Sequence, residues 1–376
     1  MYKRYLLAFF ILFISIGLKA QLGKTSTQLF YMRMEGKIGK DMNVVANLER
    51  QGSKVEGNYA FFRNEPDSSH QYDHLTDVFG HISTQNKVTL KELQQDKDVF
   101  TGILKDVRFT GQWDGPEDKK QYFFLHENYP VGSIPMEVHY LHSEQTLEAG
   151  NPKAPHAQIE LSLLVPKKQS IMAPALDSIN KSIQNTFFGD IFPSENPDSL
   201  LFRFEAEFYN QFNAQNKYWK TSPSNAFNWQ RNVDMSVVFN SDGLLCLEYL
   251  RHGYSGSGHS ISRISYLIFD LKSGKTLTYK DFFNPRSLAR LSNLLTEKLK
   301  QDYQVSDDSL SLKNAGFYVN KVMPNGNIYL GGDGIGFVYN NYELAPPSKG
   351  IIDLFLKKDE IKELLLPGTI LSSHRQ

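Results

Sequence analysis

The sequence predicts an α+β protein with two structural units, an all-β barrel-like meander followed by an antiparallel sheet with helices packed on one face. Two observations lead to this prediction. Over residues 28–128, short runs of alternating apolar and polar residues recur about every ten to twelve residues, as is typical of antiparallel strands. Beyond residue 157, such runs are interspersed with segments whose apolar residues recur three and four apart, the spacing of amphipathic helices.

Residues 1–20 have the organisation of a secretory signal peptide. Two basic residues precede the apolar run Tyr5–Gly17, which is shorter than a membrane-spanning helix requires, and Ala20 is the small residue expected at a cleavage site. We therefore expect a periplasmic or secreted mature protein that begins at Gln21 and does not span a membrane. An uncleaved N-terminal anchor is the alternative.

The composition limits the classes of partner. The chain has 41 basic and 41 acidic residues, and loss of Lys3, Arg4 and Lys19 with the signal peptide leaves 38 basic residues. No basic stripe is present, so nucleic acid and anionic lipid surfaces are not expected partners. Cys246 is the only cysteine, which excludes an intrachain disulfide, and its apolar neighbours predict a buried position.

Residues 21–142 are predicted to form the all-β accessory domain. Its turn residues separate short alternating runs, among them Met42–Leu48, Lys54–Phe61, Lys87–Leu93 and Gln121–Leu125. Three of the predicted strands contain an internal glycine, namely Gly57, Gly102 and Gly111. Because strand glycines usually mark bends or bulges, they indicate a strongly curved, barrel-like sheet.

Residues 143–156 are predicted to be an interdomain linker, since they are rich in proline and glycine and have little apolar periodicity. The α+β domain then extends over residues 157–376. Its predicted strands and helices are, in order, strand 157–165, two helices with apolar residues at Leu176–Phe187 and Leu201–Phe212, strands 233–239, 244–250 and 261–271, a helix with Leu288, Leu291, Leu295 and Leu299 on one face, strands 316–323, 327–330, 336–339 and 351–356, and a short helix 359–365.

Three motifs in this second domain follow a recognisable order. They are Tyr254-Ser-Gly-Ser-Gly-His259, Phe269-Asp-Leu-Lys-Ser-Gly-Lys275 and Gly334-Ile-Gly-Phe-Val-Tyr-Asn-Asn-Tyr-Glu-Leu344. This order resembles the extracellular domain shared by the RsiV lysozyme-sensing anti-sigma factor and the PdaC peptidoglycan deacetylase, a family formally of unknown function. The resemblance covers residues 157–366. In those relatives the domain binds and senses at the cell envelope, and any catalysis belongs to a separate domain, so the resemblance implies a binding role here.

The loop from Tyr254 to His259 is the leading candidate for a binding site. Its two glycines allow a ligand to approach the backbone closely, and Tyr254, Ser255, Ser257 and His259 supply polar groups. The alternative is a tight glycine turn whose histidine hydrogen-bonds to its own backbone. A catalytic serine is not expected, because neither Ser255 nor Ser257 has glycines two residues before and two residues after it, as in a Gly-x-Ser-x-Gly nucleophile elbow.

Trp219 and Trp229 form a second candidate site. They flank the polar segment 220–228, where exposed indoles would stack on sugar rings or anchor a protein partner. The alternative is that both tryptophans simply fill the hydrophobic core.

No cofactor or metal site is expected. His70, His74 and His81 are close in sequence, but their segment reads as a solvated loop leading into a strand. The glycine-rich run Leu330–Gly336 lacks the spacing of a nucleotide-binding loop and the oxygen ligands of a calcium loop, so it indicates a hairpin turn with bulges.

Together these features predict an exported envelope protein that acts by binding, without catalysis. The expected partner is a cell-wall glycan, a lysozyme-like protein or another envelope protein. Two alternatives stay open, a hydrolase acting on peptidoglycan or another glycan, and a structural or inhibitory partner protein. No paired carboxylate motif identifies catalytic residues for the hydrolase.

Overall fold

The computed structural model describes residues 28–64, 70–93, 97–116, 119–168, 171–189, 196–221, 227–256, 260–305 and 311–369. The predicted signal peptide, residues 1–20, lies outside these ranges. The described residues divide into two compact units, one ending at Asn128 and the other beginning at Tyr129. The boundary between them therefore precedes the linker that the sequence predicts.

The first unit is a closed antiparallel barrel of eight strands, with one further short strand attached. Each barrel strand pairs with its neighbours along the chain, and the first pairs with the last, so the sheet closes. The barrel strands are β1 (Leu29–Ile38), β2 (Met42–Gln51), β3 (Lys54–Asn64), β5 (Thr76–Ile82), β6 (Lys87–Glu92), β7 (Asp98–Lys105), β8 (Arg108–Asp114) and β9 (Lys120–Glu127), and the attached strand is β4 (His70–Tyr72).

The interior of the barrel is filled by side chains from alternate positions of every strand, as the sequence pattern predicts. Phe100, Phe109 and Phe123 pack edge to face in this core, with centroid distances of 5.2 and 4.7 Å. The strand glycines permit that packing. A Cβ atom at Gly111 would collide with the Thr101 carbonyl oxygen on the neighbouring strand, so only glycine allows the two backbones to approach so closely.

The second unit contains a six-stranded sheet, a three-stranded sheet and five helices within its described residues. The six strands are, in order across the sheet, β10 (Met136–Thr146), β11 (His156–Pro166), β12 (Trp229–Ser241), β13 (Leu244–Ser255), β14 (Ile261–Asp270) and β15 (Thr276–Leu277). The helices are α1 (Ala173–Phe188), α2 (Pro197–Gln215), α3 (Tyr279–Phe282), α4 (Leu288–Asp302) and α5 (Lys358–Ile361). The smaller sheet is β16 (Ile328–Leu330), β17 (Gly334–Tyr339) and β18 (Ile352–Lys357).

The segment predicted as a linker, residues 143–156, belongs to a long hairpin. Strands β10 and β11 pair without interruption from Met136 opposite Pro166 to Thr146 opposite His156. Ser143 lies 2.9 Å from the Tyr209 hydroxyl on α2, and Gln145 donates to Asn213 of the same helix. The segment has little apolar periodicity because side chains such as Ser143 and Gln145 contact the helix through hydrogen bonds.

Helices α1 and α2 cover one face of the six-stranded sheet. The Phe187 ring of α1 lies 5.8 Å from that of Tyr249 on β13, and the Trp229 indole of β12 lies 5.9 Å from the rings of both Phe208 and Phe212 on α2. All five side chains are buried. This packing is the α+β layer that the sequence predicts.

Helix α4 packs against β18 of the smaller sheet. Its Leu291, Leu295 and Leu299 are fully buried, which agrees with the predicted apolar face, whereas Leu288 at the start of the helix remains 37% exposed. The strand predicted at 316–323 is not formed, because this segment follows turns and is held by individual contacts such as the Val322 N–H to Thr296 Oγ1 bond of 2.9 Å. None of the described helices is long and apolar enough to cross a bilayer.

Candidate functional site

The two faces of the six-stranded sheet have different surroundings. On β13, Leu247 and Tyr249 point towards the helices and are buried. Because successive side chains of a strand point to opposite faces, His252 and Tyr254 lie on the other face. Cα pairing places Asn232 of β12 opposite His252 and Gln230 opposite Tyr254. The face away from the helices is therefore lined by hydrogen-bonding side chains at this end of the sheet.

We call this surface the polar face. Its residues come from four adjacent strands, and all of them are half-buried. They are Tyr140 of β10, Glu160 of β11, Asn232 and Asp234 of β12, and His252 and Tyr254 of β13. The pairing of β11 with β12 sets Glu160 opposite Asn232, which continues the row from β13 across the sheet.

A tyrosine and a carboxylate interact directly on the polar face. The Tyr140 hydroxyl donates a hydrogen bond of 3.0 Å to Glu160 Oε1. Burial raises the pKa of Tyr140 well above its ordinary value, and the nearby charges of Glu160 and Asp234 raise it further. Tyr140 is therefore a neutral hydrogen-bond donor at any physiological pH, and it orients the Glu160 carboxylate.

His252 is held in a similar way on the next strands. Its Nδ1 lies 2.9 Å from Ser262 Oγ on β14, and burial lowers the pKa of the imidazole below its ordinary value of 6.5. The ring is therefore neutral at pH 7. Opposite it, the side-chain oxygen of Asn232 is buried and accepts no hydrogen bond from the described residues. An unpaired buried acceptor is costly, so this oxygen is suited to a donor from a bound molecule.

Tyr254 lies two residues beyond His252 on the same face of β13, at the start of the loop that the sequence predicts as a binding site. Its hydroxyl donates a hydrogen bond of 3.2 Å to the carbonyl oxygen of Gly256, two residues further along the chain. Gly256 has a φ of 85°, a backbone conformation that favours glycine. Ser255 is exposed and pairs with Trp229, so it lies on the helix side of the sheet. Ser257 and His259 lie outside the described residues.

The two tryptophans of the second candidate site are buried. Trp229 packs between the sheet and α2, and Trp219 lies in a short 3₁₀ helix, Trp219–Thr221, that follows α2. Neither indole offers a free face for stacking, which agrees with the alternative that both fill the core. The structure does not bring them together with Tyr254, because Trp229 and Tyr254 project from opposite faces of the sheet.

The smaller sheet marks one end of the polar face. Tyr266 of β14 donates to Glu248 Oε2 at 2.6 Å, and its ring lies 4.9 Å from that of Tyr329 on β16. Tyr266 is buried. Glu248 is thus already engaged by a tyrosine at the covered end.

Most residues of the polar face are absent from the sites that the sequence predicts. The signal is nevertheless present, since β11 and β12 carry polar side chains at alternate positions, such as Glu160, Asn232 and Asp234, between buried apolar ones. The sequence pattern does not predict the parallel pairing of β11 with β12, which brings together segments about seventy residues apart. Among the described residues, no group of three or more histidine, cysteine or acidic side chains could hold a metal ion.

Comparison with known proteins identifies part of this unit. Residues 280–359, which span α4 and the smaller sheet, match a family described as a protein of unknown function, DUF3298. A crystal structure of a DUF3298 family member from Bacteroides fragilis is similar, with 20% identity, a TM-score of 0.57, and coverage of 64% of this chain and 98% of that one.

A second solved structure, a DUF3298 family protein from Pseudomonas aeruginosa, has 15% identity and a TM-score of 0.44, and covers 64% of this chain and 97% of that one. No curated protein matches the sequence. The similarity to the Bacteroides fragilis structure is one of fold. Residues 280–359 of this chain thus match the DUF3298 family, which is described as one of unknown function.

Proposed function

We propose that the protein is exported to the cell envelope and that its second unit binds a cell-wall glycan through the polar face, without catalysis. The observation that carries this proposal is the row of half-buried hydrogen-bonding groups from Glu160 through Asn232 to His252 and Tyr254. Half-buried polar groups that line one face of a rigid sheet are preorganised for a polar ligand.

The chemistry of these groups fits a carbohydrate. Tyr140 and Tyr254 provide hydroxyl groups and ring edges, the carboxylate of Glu160 accepts hydrogen bonds from sugar hydroxyls, and the free oxygen of Asn232 accepts one from a hydroxyl or an amide N–H. Acetamido groups of cell-wall sugars offer such an N–H. The neutral state of His252 lets its ring either donate or accept.

The location in the envelope is supported by the N-terminal sequence, in which two basic residues, a short apolar run and Ala20 precede the expected mature start at Gln21. The resemblance of residues 157–366 to the RsiV/PdaC extracellular domain supports the same location. It also keeps a second partner open, a lysozyme-like or other envelope protein that would bind the same face.

The proposal is tested by incubating the purified mature protein with insoluble peptidoglycan, sedimenting it, and measuring both the bound protein and the soluble reducing ends released. We expect binding without release. Release of reducing ends that is abolished by Glu160→Gln would instead identify a hydrolase. Absence of both, together with capture of a soluble lysozyme by the wild type and not by Asn232→Ala, would favour the protein partner.

A further inference from the structure

A second exposed surface lies on the outside of the barrel. Tyr122 and Phe124 occupy alternate positions of β9, so both rings point away from the core, and they are 84% and 48% exposed. Between them Phe123 points inward and is buried in the aromatic core. The barrel already has its hydrophobic interior, so neither outward ring contributes to that core.

Strand pairing extends this surface sideways. Ile103 of β7 pairs with Thr110 of β8, and Thr110 pairs with Phe124, so these three side chains form one row across the outside of the barrel. Gln112 pairs with Tyr122 in the neighbouring row. Ile103 is also exposed, as is Val107 in the turn that joins β7 to β8. We call this surface, formed by Ile103, Val107, Thr110, Gln112, Tyr122 and Phe124, the aromatic patch.

Cationic side chains border the aromatic patch. Lys87 pairs with Ile103 on one side, and Lys37 pairs with Phe124 on the other. Lys105 and Arg108 pair with each other in the next row. All four are exposed, and within the described part of the chain none of them forms an ion pair with a carboxylate.

Acidic groups offset this charge only in part. Asp114, in the row beyond Tyr122, is paired with Lys120 at 3.9 Å, and Glu35 is paired with Arg33 at 2.8 Å. Asp106 lies in the turn between Lys105 and Arg108. The border of the aromatic patch is therefore positive, whereas the carboxylates of the polar face make that surface a different kind of site.

We propose that the aromatic patch binds an acidic polysaccharide, with the Tyr122 and Phe124 rings stacked on the apolar faces of successive sugar rings and the surrounding cations paired with carboxylates of the chain. Two outward-pointing rings at alternate positions of one strand suit an extended, repeating ligand that lies along that strand. On β8, Thr110 lies beside Phe124 and Gln112 beside Tyr122, and the Gln112 amide also donates to Asp114 Oδ1 at 2.9 Å. Neighbouring exposed apolar side chains with a polar and charged border are typical of interaction surfaces.

The test is isothermal titration of the full mature protein with oligogalacturonate, a carboxylate-bearing glycan, and with maltodextrin as the neutral comparison. We expect binding of oligogalacturonate that weakens as salt is added, and far weaker binding of maltodextrin. Tyr122→Ala and Phe124→Ala should each weaken the affinity about tenfold, and K105E/R108E should do so as well.

Two matched controls separate this site from exposed aromatic residues in general. Tyr218 is 73% exposed and Tyr318 is 48% exposed, both in the second unit, so Tyr218→Ala and Tyr318→Ala should leave oligogalacturonate affinity unchanged. Equal affinity for maltodextrin, no binding of oligogalacturonate, or no effect of the Tyr122 and Phe124 substitutions would overturn the proposal. So would equally tight binding of polyglutamate that depends on the cations alone, since that would identify a nonspecific polyanion surface.

Discussion

The side-chain amide of Asn340 completes the backbone hydrogen bonding of Ile264. Its Oδ1 accepts from the Ile264 N–H at 2.8 Å, and its Nδ2 donates to the Ile264 carbonyl oxygen at 3.0 Å. Strand β15 pairs with β14 only at Ile268 and Phe269, so the backbone of Ile264 has no strand beside it on that edge. The Asn340 amide therefore makes the two hydrogen bonds that a neighbouring strand would make to Ile264. These bonds connect the smaller sheet to the six-stranded sheet.

Asn327 makes the same kind of contact one pleat further along. Its Oδ1 accepts from the Tyr266 N–H at 2.9 Å, and its Nδ2 donates to the Ile264 carbonyl oxygen at 2.9 Å. Asn340 belongs to the third of the sequence motifs, which runs from Gly334 to Leu344. The structure thus gives this part of the motif a physical role in holding two sheets together.

Replacement of Asn340 by alanine should lower the free energy of unfolding by about 1–3 kcal/mol, because the buried N–H of Ile264 would lose its partner. The matched control is Asn341→Ala at the next position, whose side-chain oxygen has no hydrogen-bond partner among the described residues. Chemical denaturation of both variants measures the difference. Equal losses in the two would show that the amide pairing is not what joins the sheets.

Helix α4 provides a test of core packing. Leu295→Ala should cost about 2–5 kcal/mol of stability, because the side chain is fully buried beneath the smaller sheet. Leu288→Ala, on the same helix but partly exposed, should cost much less, under about 0.5 kcal/mol. Urea denaturation curves for the pair provide the measurement, and similar losses in both would contradict the observed orientation of the helix.

The domain boundary can be tested by truncation. A fragment of residues 129–376 should fold and unfold cooperatively, because it retains the complete β10–β11 hairpin. A fragment of residues 157–376 should be less stable or insoluble, because it exposes the edge of β11 and removes the partners of α2, including Ser143. Circular dichroism melting of both fragments distinguishes them. Equal stability would restore the boundary that the sequence predicts.

His252 predicts a pH dependence of stability. Its folded pKa is lowered by burial, so over the range between that value and 6.5 the unfolded chain binds more protons than the folded one. Stability should therefore fall as the pH drops below 6.5, and His252→Gln should flatten this dependence by removing the titrating group. Melting temperatures of wild type and variant from about pH 7.5 to 5 give the comparison. An unchanged slope would mean that other groups cause the acid destabilisation.

The sequence predicts the fold class well because hydrophobic periodicity reports local burial. The barrel alternation and the helix faces around Phe208 and Leu295 are of this kind. Polar segments are predicted less well. The second half of strand Met136–Thr146 is not predicted from apolar periodicity, because its contacts with α2 are hydrogen bonds. The pairing of β11 with β12 is not predicted either, because two helices separate these strands along the chain.

For the candidate site, the sequence indicates one end and misses the rest. Glycine and histidine residues indicate the loop after Tyr254, whereas the position of Glu160 and Asn232 on the same face depends on strand register. The binding roles predicted for Ser257 and His259 stay predictions, since both residues lie outside the described part of the chain. The two tryptophans illustrate a general ambiguity, because aromatic residues in a polar segment fit either a binding surface or a core plug.

The most direct test of the binding role compares affinity with stability for the polar face. Asn232→Ala and Tyr254→Ala should weaken binding to soluble peptidoglycan fragments about tenfold or more while the melting temperature changes little. Ser255→Ala, on the opposite side of the same strand, is the control and should leave both quantities unchanged. Unchanged affinity per folded molecule, with a lowered melting temperature, would contradict the account and show that these residues only support the fold.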